Sequence, residues 1–193
     1  MSDLIIDFLS NYIELSKEEI DIISKQNDIH SFKKGTLLIS EGDIAKECYF
    51  VLEGCVSSYY LKDGEIKVTD FFTEKQPIIP VSYITKQPSE YYIECIVDCV
   101  ISMSTTESNR ELMRNVPRLA QLGGTVMQDQ LVNQRMKHDE LVKLSPEERY
   151  RNLQKTSSEL LNRIPQYLIA SYLGIKPESL SRIRKRINNK SGF

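Results

Sequence analysis

The chain is poor in the residues from which most metal and catalytic centres are built. Its 193 residues include four cysteines, Cys48, Cys55, Cys95 and Cys99, and two histidines, His30 and His138. No CxxC pair occurs, and spacings of seven and four along extended segments match no familiar zinc or iron–sulfur ligand pattern. A β-barrel metalloenzyme would need a cluster of His and carboxylate ligands, which these two histidines cannot supply. No nucleophile–base pairing and no phosphate-cradling glycine loop is present. The sequence therefore predicts a protein that is not an enzyme and carries no cofactor, with cysteines serving as buried apolar residues on strands. No apolar run approaches the length that spans a bilayer. The opening "MSDLIIDFLS" carries Asp3 and Asp7 in place of the basic flank of a signal peptide. Both points predict a cytoplasmic protein with no membrane partner. Internal repeats and low-complexity segments are absent as well.

Arginine is missing from the first half of the chain: the first is Arg110. The net charge of −2 conceals this asymmetry. Residues 145–193 hold ten Lys and Arg against four acids, a local charge of +6, which leaves −8 on the rest. A basic tail on an acidic body predicts a nucleic-acid-binding module joined to something else.

Three textures succeed one another. Residues 1–25 have a helical pattern, with Leu4, Ile5, Phe8, Leu9 and Ile13 followed by Ile20, Ile22 and Ile23. From about 28 to 104, short β-branched and aromatic runs alternate with glycine turns. The runs "TLLIS", "CYFVL", "CVSSYYL", "IKVTDFF", "YYIECIV" and "CVISM" are predicted strands of an antiparallel barrel or sandwich. Helical periodicity then returns. Thr106 is placed to cap a short helix to about Arg114, and Asn115 and Pro117 mark the start of a long one reaching about Lys143. Its apolar stripe includes Leu119, Leu122, Val126, Met136, Leu141 and Val142, predicted both to cover the barrel and to pair with a second copy. A capping box of Ser145 and Glu148, with Pro146 at the first helical position, restarts the chain after a hinge at Leu144–Ser145.

The stretch "IPQYLIASYLGIKPESLSRIRKRI" meets the requirements of a helix-turn-helix. Ala170 is the small residue where two helices cross, Gly174 supplies the sharp turn, and Leu180 locks the helices together with Ile169, Leu173, Ile175 and Ile183. Pro177 suits the first turn of the second helix because it has no N–H to satisfy. If that helix enters a major groove, its exposed N-terminal residues Glu178, Ser179 and Arg182 face base edges. Glu accepts from cytosine N4, and Arg donates two bonds to guanine O6 and N7. Tyr167, Lys176, Ser181, Arg184 and Lys185 are assigned to phosphates, which give affinity without sequence information. The competing reading is a β-roll module that binds a protein or small molecule, its basic helices contacting a protein partner.

These motifs resemble the Crp/Fnr family of bacterial transcription regulators. "FKKGTLLISEGDIAKECYFVLEGCV" is similar to that family's cyclic-nucleotide-binding β-roll, with Phe32, Gly35, Glu41, Gly42, Phe50 and Gly54 in register. "GIKPESLSRIRK" is similar to its recognition-helix segment, and Glu178 and Arg182 match the base-reading Glu and Arg. The resemblance runs from about residue 10 onward. It implies an α+β fold with an antiparallel, jelly-roll-like β-roll, a long central dimerisation helix and a C-terminal winged helix-turn-helix. The implied division is 1–115, 116–144 and 145–193. The implied partners are double-stranded DNA at a near-palindromic operator, a second copy of the chain, and an unknown small-molecule effector. Activation would also require a surface for RNA polymerase, which no motif identifies.

Three departures qualify the resemblance. Lys176 stands where the family often has a Ser cap, and Pro177 where a base-contacting Arg can occur. The sequence past the recognition helix is short for a trailing β-hairpin wing. Most important, cyclic-nucleotide binders in the family hold the ribose with a Gly-Glu pair and the phosphate with an Arg. Residues 74–94, "EKQPIIPVSYITKQPSEYYIE", contain neither glycine nor arginine, and Ser89 and Glu90 fall where the Arg would be. A guanidinium fork is the strong way to hold a phosphate, and an acid near its place repels one. The expectation is a degenerate pocket that does not bind cyclic AMP.

Overall fold

Two short helices open the chain in the computed structural model, which describes residues 2–26, 28–156 and 158–190. They are α1 (Ser2–Ser10) and α2 (Lys17–Gln26). The sequence pattern ran through residues 1–25 without a break, but Ser16 and Glu19 form a capping box that starts α2 afresh. The Ser16 N–H donates to the Glu19 carboxylate (2.8 Å), and the Glu19 N–H to the Ser16 hydroxyl (3.2 Å).

Eight strands follow among the described residues. They are β1 (Asp28–Phe32), β2 (Leu37–Ile39), β3 (Glu47–Glu53), β4 (Val56–Lys62), β5 (Glu65–Phe72), β6 (Pro77–Ile78), β7 (Tyr92–Cys95) and β8 (Cys99–Thr105). A one-and-a-half-turn helix, α3 (Val81–Thr85), lies between β6 and β7. Two four-stranded sheets result, in the orders β1-β8-β3-β6 and β2-β7-β4-β5, every pair antiparallel. All six predicted strands are present. β1 was not foreseen, because "DIHSF" buries little and shows no clean alternation; it pairs with β8 through residues 28–32 and 99–103. Between the sheets sits a core that includes Val51, Val56, Ile78, Ile93, Cys95 and Ile101, all nearly or fully buried.

Five helices complete the described chain with α4 (Thr106–Asn115) ahead of them. They are α5 (Arg118–Lys143), α6 (Pro146–Thr156), α7 (Ser158–Arg163), α8 (Gln166–Tyr172) and α9 (Pro177–Lys190). The cap of α4 is Thr105, one residue before the expected Thr106, because its hydroxyl accepts from the Ser108 N–H and Ser108 reciprocates. Among the described residues no strand follows β8.

The long helix α5 spans about 39 Å at 1.5 Å per residue. Its first half buries Leu119 and Leu122 in a cluster with α1, α2 and α4, so it covers the N-terminal helices more than the barrel itself. Its second half reaches the sheet through Asp70 of β5, which accepts from Lys137 Nζ (2.7 Å) and Gln134 Nε2 (3.3 Å). The apolar side chains of that half face outward: Leu131, Val132 and Met136 are 73%, 57% and 60% exposed.

A third core does not respect the boundary expected between body and tail. Tyr59, Val68, Phe71 and Ile96 of the barrel pack in one cluster with Tyr150, Ile164, Leu168, Ile169, Leu173, Leu180 and Ile183 of the C-terminal helices. The basic module is therefore docked on the second sheet, not tethered beside it.

Candidate nucleic-acid interface

The C-terminal helices present their surface through a turn that the sequence specifies closely. Helix α8 ends at Tyr172, and Gly174 adopts φ 67°, the left-handed region in which a Cβ is penalised. The Gly174 N–H donates to the Ser171 carbonyl (2.9 Å) and the Ile175 N–H to the Ala170 carbonyl (3.0 Å). Arg149 of α6 also donates to the Leu173 carbonyl (2.8 Å), occupying an acceptor that the end of a helix otherwise leaves free. Ala170 is fully buried, with Ile169, Leu173 and Leu180 beside it. Ile183 and Ile187 continue that inward face of α9. The crossing positions read from sequence thus lie where two helices meet, with Ile175 only partly buried at their edge.

The opposite face of α9 is open to solvent. Glu178, Ser179 and Arg182 are all exposed at its N-terminal end, with Arg182 one turn beyond Glu178. Lys176, Ser181, Arg184 and Lys185 are exposed around them, and Tyr167 of α8 is 54% exposed. No ion pair among the described residues engages Lys176, Arg182, Arg184 or Lys185. Arg186 differs: it bonds Glu147 of α6 at 2.6 Å, so its charge is spent within the module.

Sequence reasoning missed the groups that hold this unit against the barrel. β5 is the outer strand of its sheet, so some of its backbone groups lack a strand partner. Ser171 of α8 supplies both partners: its hydroxyl accepts from the Val68 N–H (3.0 Å) and donates to the Ile66 carbonyl (2.6 Å). Arg163 makes a two-pronged contact with Glu74, at 2.8 and 3.1 Å. Burial alone would raise the Glu74 pKa. The Arg163 hydrogen bonds, the Gly54 N–H and the Arg163 charge outweigh it and hold the carboxyl below the ordinary glutamate value. No local pattern marks Ser171 or Glu74, because their partners lie 103 and 89 residues away.

In the β-roll, Ser89 is buried and bonded. Its N–H donates to the Asp43 carbonyl, its carbonyl accepts from the Gly42 N–H, and its hydroxyl donates to the Tyr91 carbonyl, each at 2.8 Å. Glu90 is exposed. The first N–H of α3, from Val81, donates to the Tyr91 hydroxyl at 2.9 Å. A free helix N-terminus is a ready place for an anion; here a tyrosine occupies it. The Lys86 ammonium lies over the Tyr83 ring, 4.6 Å from its centroid.

The cysteines are free thiols. Burial pushes Cys48 up to about 11 and Cys55 up to about 12, which disfavours the metal-binding thiolate. Cys55 lies in the turn between β3 and β4, not on a strand. The described residues contain no group of three or more His, Cys, Asp or Glu placed to hold a metal. Nor is any described helix long and apolar enough to cross a membrane.

A two-sheet roll, a long helix and a helical unit with an exposed basic face make up the described residues. Residues 29–116 match the cyclic nucleotide-binding domain. The structure resembles the c-di-GMP responsive global regulator CLP of Xanthomonas campestris at a TM-score of 0.68 and 18% identity, over 91% of this chain and 93% of that one. It resembles FixK2 of Bradyrhizobium japonicum at a TM-score of 0.70 and 19% identity, over 86% and 88%. It also resembles the catabolite activator protein of Thermus thermophilus at 0.54 and 18%, over 93% and 87%. No curated protein sequence matches the chain. The chain thus has the Crp/Fnr-type fold that its motifs implied, α+β with antiparallel sheets, a long central helix and C-terminal helices.

Proposed function

We propose that this chain is a sequence-specific DNA-binding transcription regulator, with the α8–turn–α9 unit as its helix-turn-helix. The observation that carries the reading is the exposed N-terminal face of α9. Glu178, Ser179 and Arg182 stand there without ion-pair partners among the described residues, ringed by Lys176, Arg184 and Lys185, while Leu180, Ile183 and Ile187 on the inward face of the same helix are buried. Glu178, Ser179 and Arg182 read bases, and Tyr167, Lys176, Ser181, Arg184 and Lys185 hold phosphates. The division into a sensor of residues 1–115, a central helix of 116–144 and a DNA-binding part of 145–193 belongs to this reading.

The operator is near-palindromic and the regulator a homodimer, supported by the outward Leu131, Val132 and Met136 of α5. A helix with that much exposed apolar area is suited to a partner helix. The barrel does not bind cyclic AMP. Residues 74–94 offer no arginine for the phosphate, and the N–H at the start of α3 is bonded to Tyr91.

Selection of random duplex DNA by the purified protein, followed by sequencing, tests the reading. The expected result is a palindrome whose half-sites lie about one helical turn, roughly 34 Å, apart. Arg182→Ala should relax the preference at one position of each half-site, costing about 1–3 kcal/mol there. Uniform, salt-sensitive binding with no motif would refute base reading.

A further inference from the structure

Helix α6 holds α9 from both ends. Arg149 fixes the turn that leads into α9, donating to the Leu173 carbonyl at 2.8 Å. Two residues earlier on α6, Glu147 binds the far end of α9: Arg186 Nη1 donates to its Oε2 at 2.6 Å. The other carboxylate oxygen, Oε1, accepts from Arg151 Nη2 at 3.0 Å. Each oxygen of Glu147 is thus engaged by an arginine, one from its own helix and one from α9.

An isolated surface ion pair contributes little, because two long side chains must be ordered in water. This pair differs in two respects. The Glu147 side chain is only 21% exposed, and Arg151, one turn along α6, already orders it. Arg186 alone has to give up its freedom to complete the contact. The position of Arg186 matters as much. It lies one turn beyond Arg182 and next to Arg184 and Lys185, and its side chain is 56% exposed. A guanidinium at that place can reach the backbone that Arg184 and Lys185 are assigned to hold. Yet of Lys176, Arg182, Arg184, Lys185 and Arg186, it is the one with an ion-pair partner among the described residues.

We infer that Glu147 is a specificity-determining residue of the DNA site: it withholds Arg186 from the phosphates and fixes the far end of α9. Phosphate contacts add affinity for any duplex and carry no sequence information. A free Arg186 would find a phosphate on random DNA in any register. At an operator the register is already set by Glu178, Ser179 and Arg182, so the gain there is smaller. Glu147 therefore lowers binding to random duplex more than binding to the operator. The inference rests on the DNA-binding reading and adds to it a residue from outside the helix-turn-helix.

The test is the salt dependence of binding, by fluorescence anisotropy, of a random-sequence duplex and of the duplex selected by the wild-type chain. Each phosphate contact contributes about 0.9 to the slope of log K against log salt. Glu147→Gln keeps the length of the side chain and its place in α6, and should steepen the slope by about 0.9. The affinity lost over a fourfold rise in salt then becomes about 3.5-fold larger. The same variant should bind random duplex more tightly at low salt and show a smaller ratio of operator to random affinity. Arg186→Ala should leave the wild-type slope unchanged, whereas Arg184→Ala should lower it by about 0.9. Combining Glu147→Gln with Arg186→Ala should restore the wild-type slope, which separates release of Arg186 from the loss of an acid near DNA. A purely structural Glu147 would weaken binding when substituted, and that result would overturn the inference. So would an unchanged slope in Glu147→Gln, a slope that stays steep in the double variant, or one lowered by Arg186→Ala alone. Failure of the wild-type chain to bind any duplex would instead overturn the regulator reading, and this inference with it.

Discussion

Ser171→Ala is the sharpest test of how the C-terminal module is held. The hydroxyl makes two bonds to the free edge of β5, with the Val68 N–H at 3.0 Å and the Ile66 carbonyl at 2.6 Å. Alanine leaves both backbone groups without a partner. A typical intramolecular hydrogen bond contributes about 1 kcal/mol net, and the contact is only partly buried, so water relieves some of the loss. The two bonds together are then worth about 2 kcal/mol. Alanine is the better helix former and returns roughly 0.5 kcal/mol within α8. The expected net loss is about 1.5 kcal/mol, close to tenfold in an equilibrium constant. Urea denaturation measures the total, and hydrogen exchange localises it: protection of the Val68 amide should fall about tenfold, while β5 amides that face β4 change little. Ser171→Thr keeps a hydroxyl and should retain most of the stability. A loss below about 0.3 kcal/mol with Val68 exchange unaltered would refute the reasoning, as the pair of bonds would then carry no net docking energy.

Other outcomes follow from the same geometry. Gly174→Ala should cost about 1–2 kcal/mol, purely from the positive φ, because a Cβ there meets no atom within 4 Å; Gly174→Asn should cost less. Gly54→Ala should be far worse, above about 4 kcal/mol or unfolded, because its Cβ would lie 2.5 Å from the Cys99 Sγ and 2.7 Å from the Asp98 carbonyl; urea midpoints rank the two. The Arg163–Glu74 contact should be pH-dependent. Because Glu74 titrates lower in the folded protein than in the unfolded chain, its contribution is present above the ordinary glutamate pKa of about 4.3 and is lost as pH falls through the folded value. Acid titration of Glu74→Gln should lack that component. Calorimetry with cyclic AMP and cyclic GMP should show no micromolar binding, and such binding of either would disprove the reading of the barrel.

Much of this protein is written locally. The β-branched and aromatic runs and the glycine turns of residues 36–103 mark the strands, because such side chains suit a pleated surface and a reversal needs a residue that tolerates positive φ. Ala170, Gly174 and Leu180 announce two crossing helices because helix contact demands a small residue, a sharp turn and an apolar lock in fixed order. The basic character of residues 145–193 and the exposed positions 178, 179 and 182 follow from composition and helical period alone.

Tertiary structure decided the rest, wherever an interaction joins residues distant in the chain. β1 forms because β8 offers it an edge, although its own sequence is a weak strand signal. "EG" at 53–54 reads as an ordinary turn, yet Gly54 is required by the approach of Asp98 and Cys99. Tyr91 fills the start of α3, and Ser171 and Arg163 dock the helices on the barrel. Local propensity fixes most of the elements, β1 being an exception. Their mutual placement depends on packing and on single long-range hydrogen bonds, whose partners no window of sequence contains.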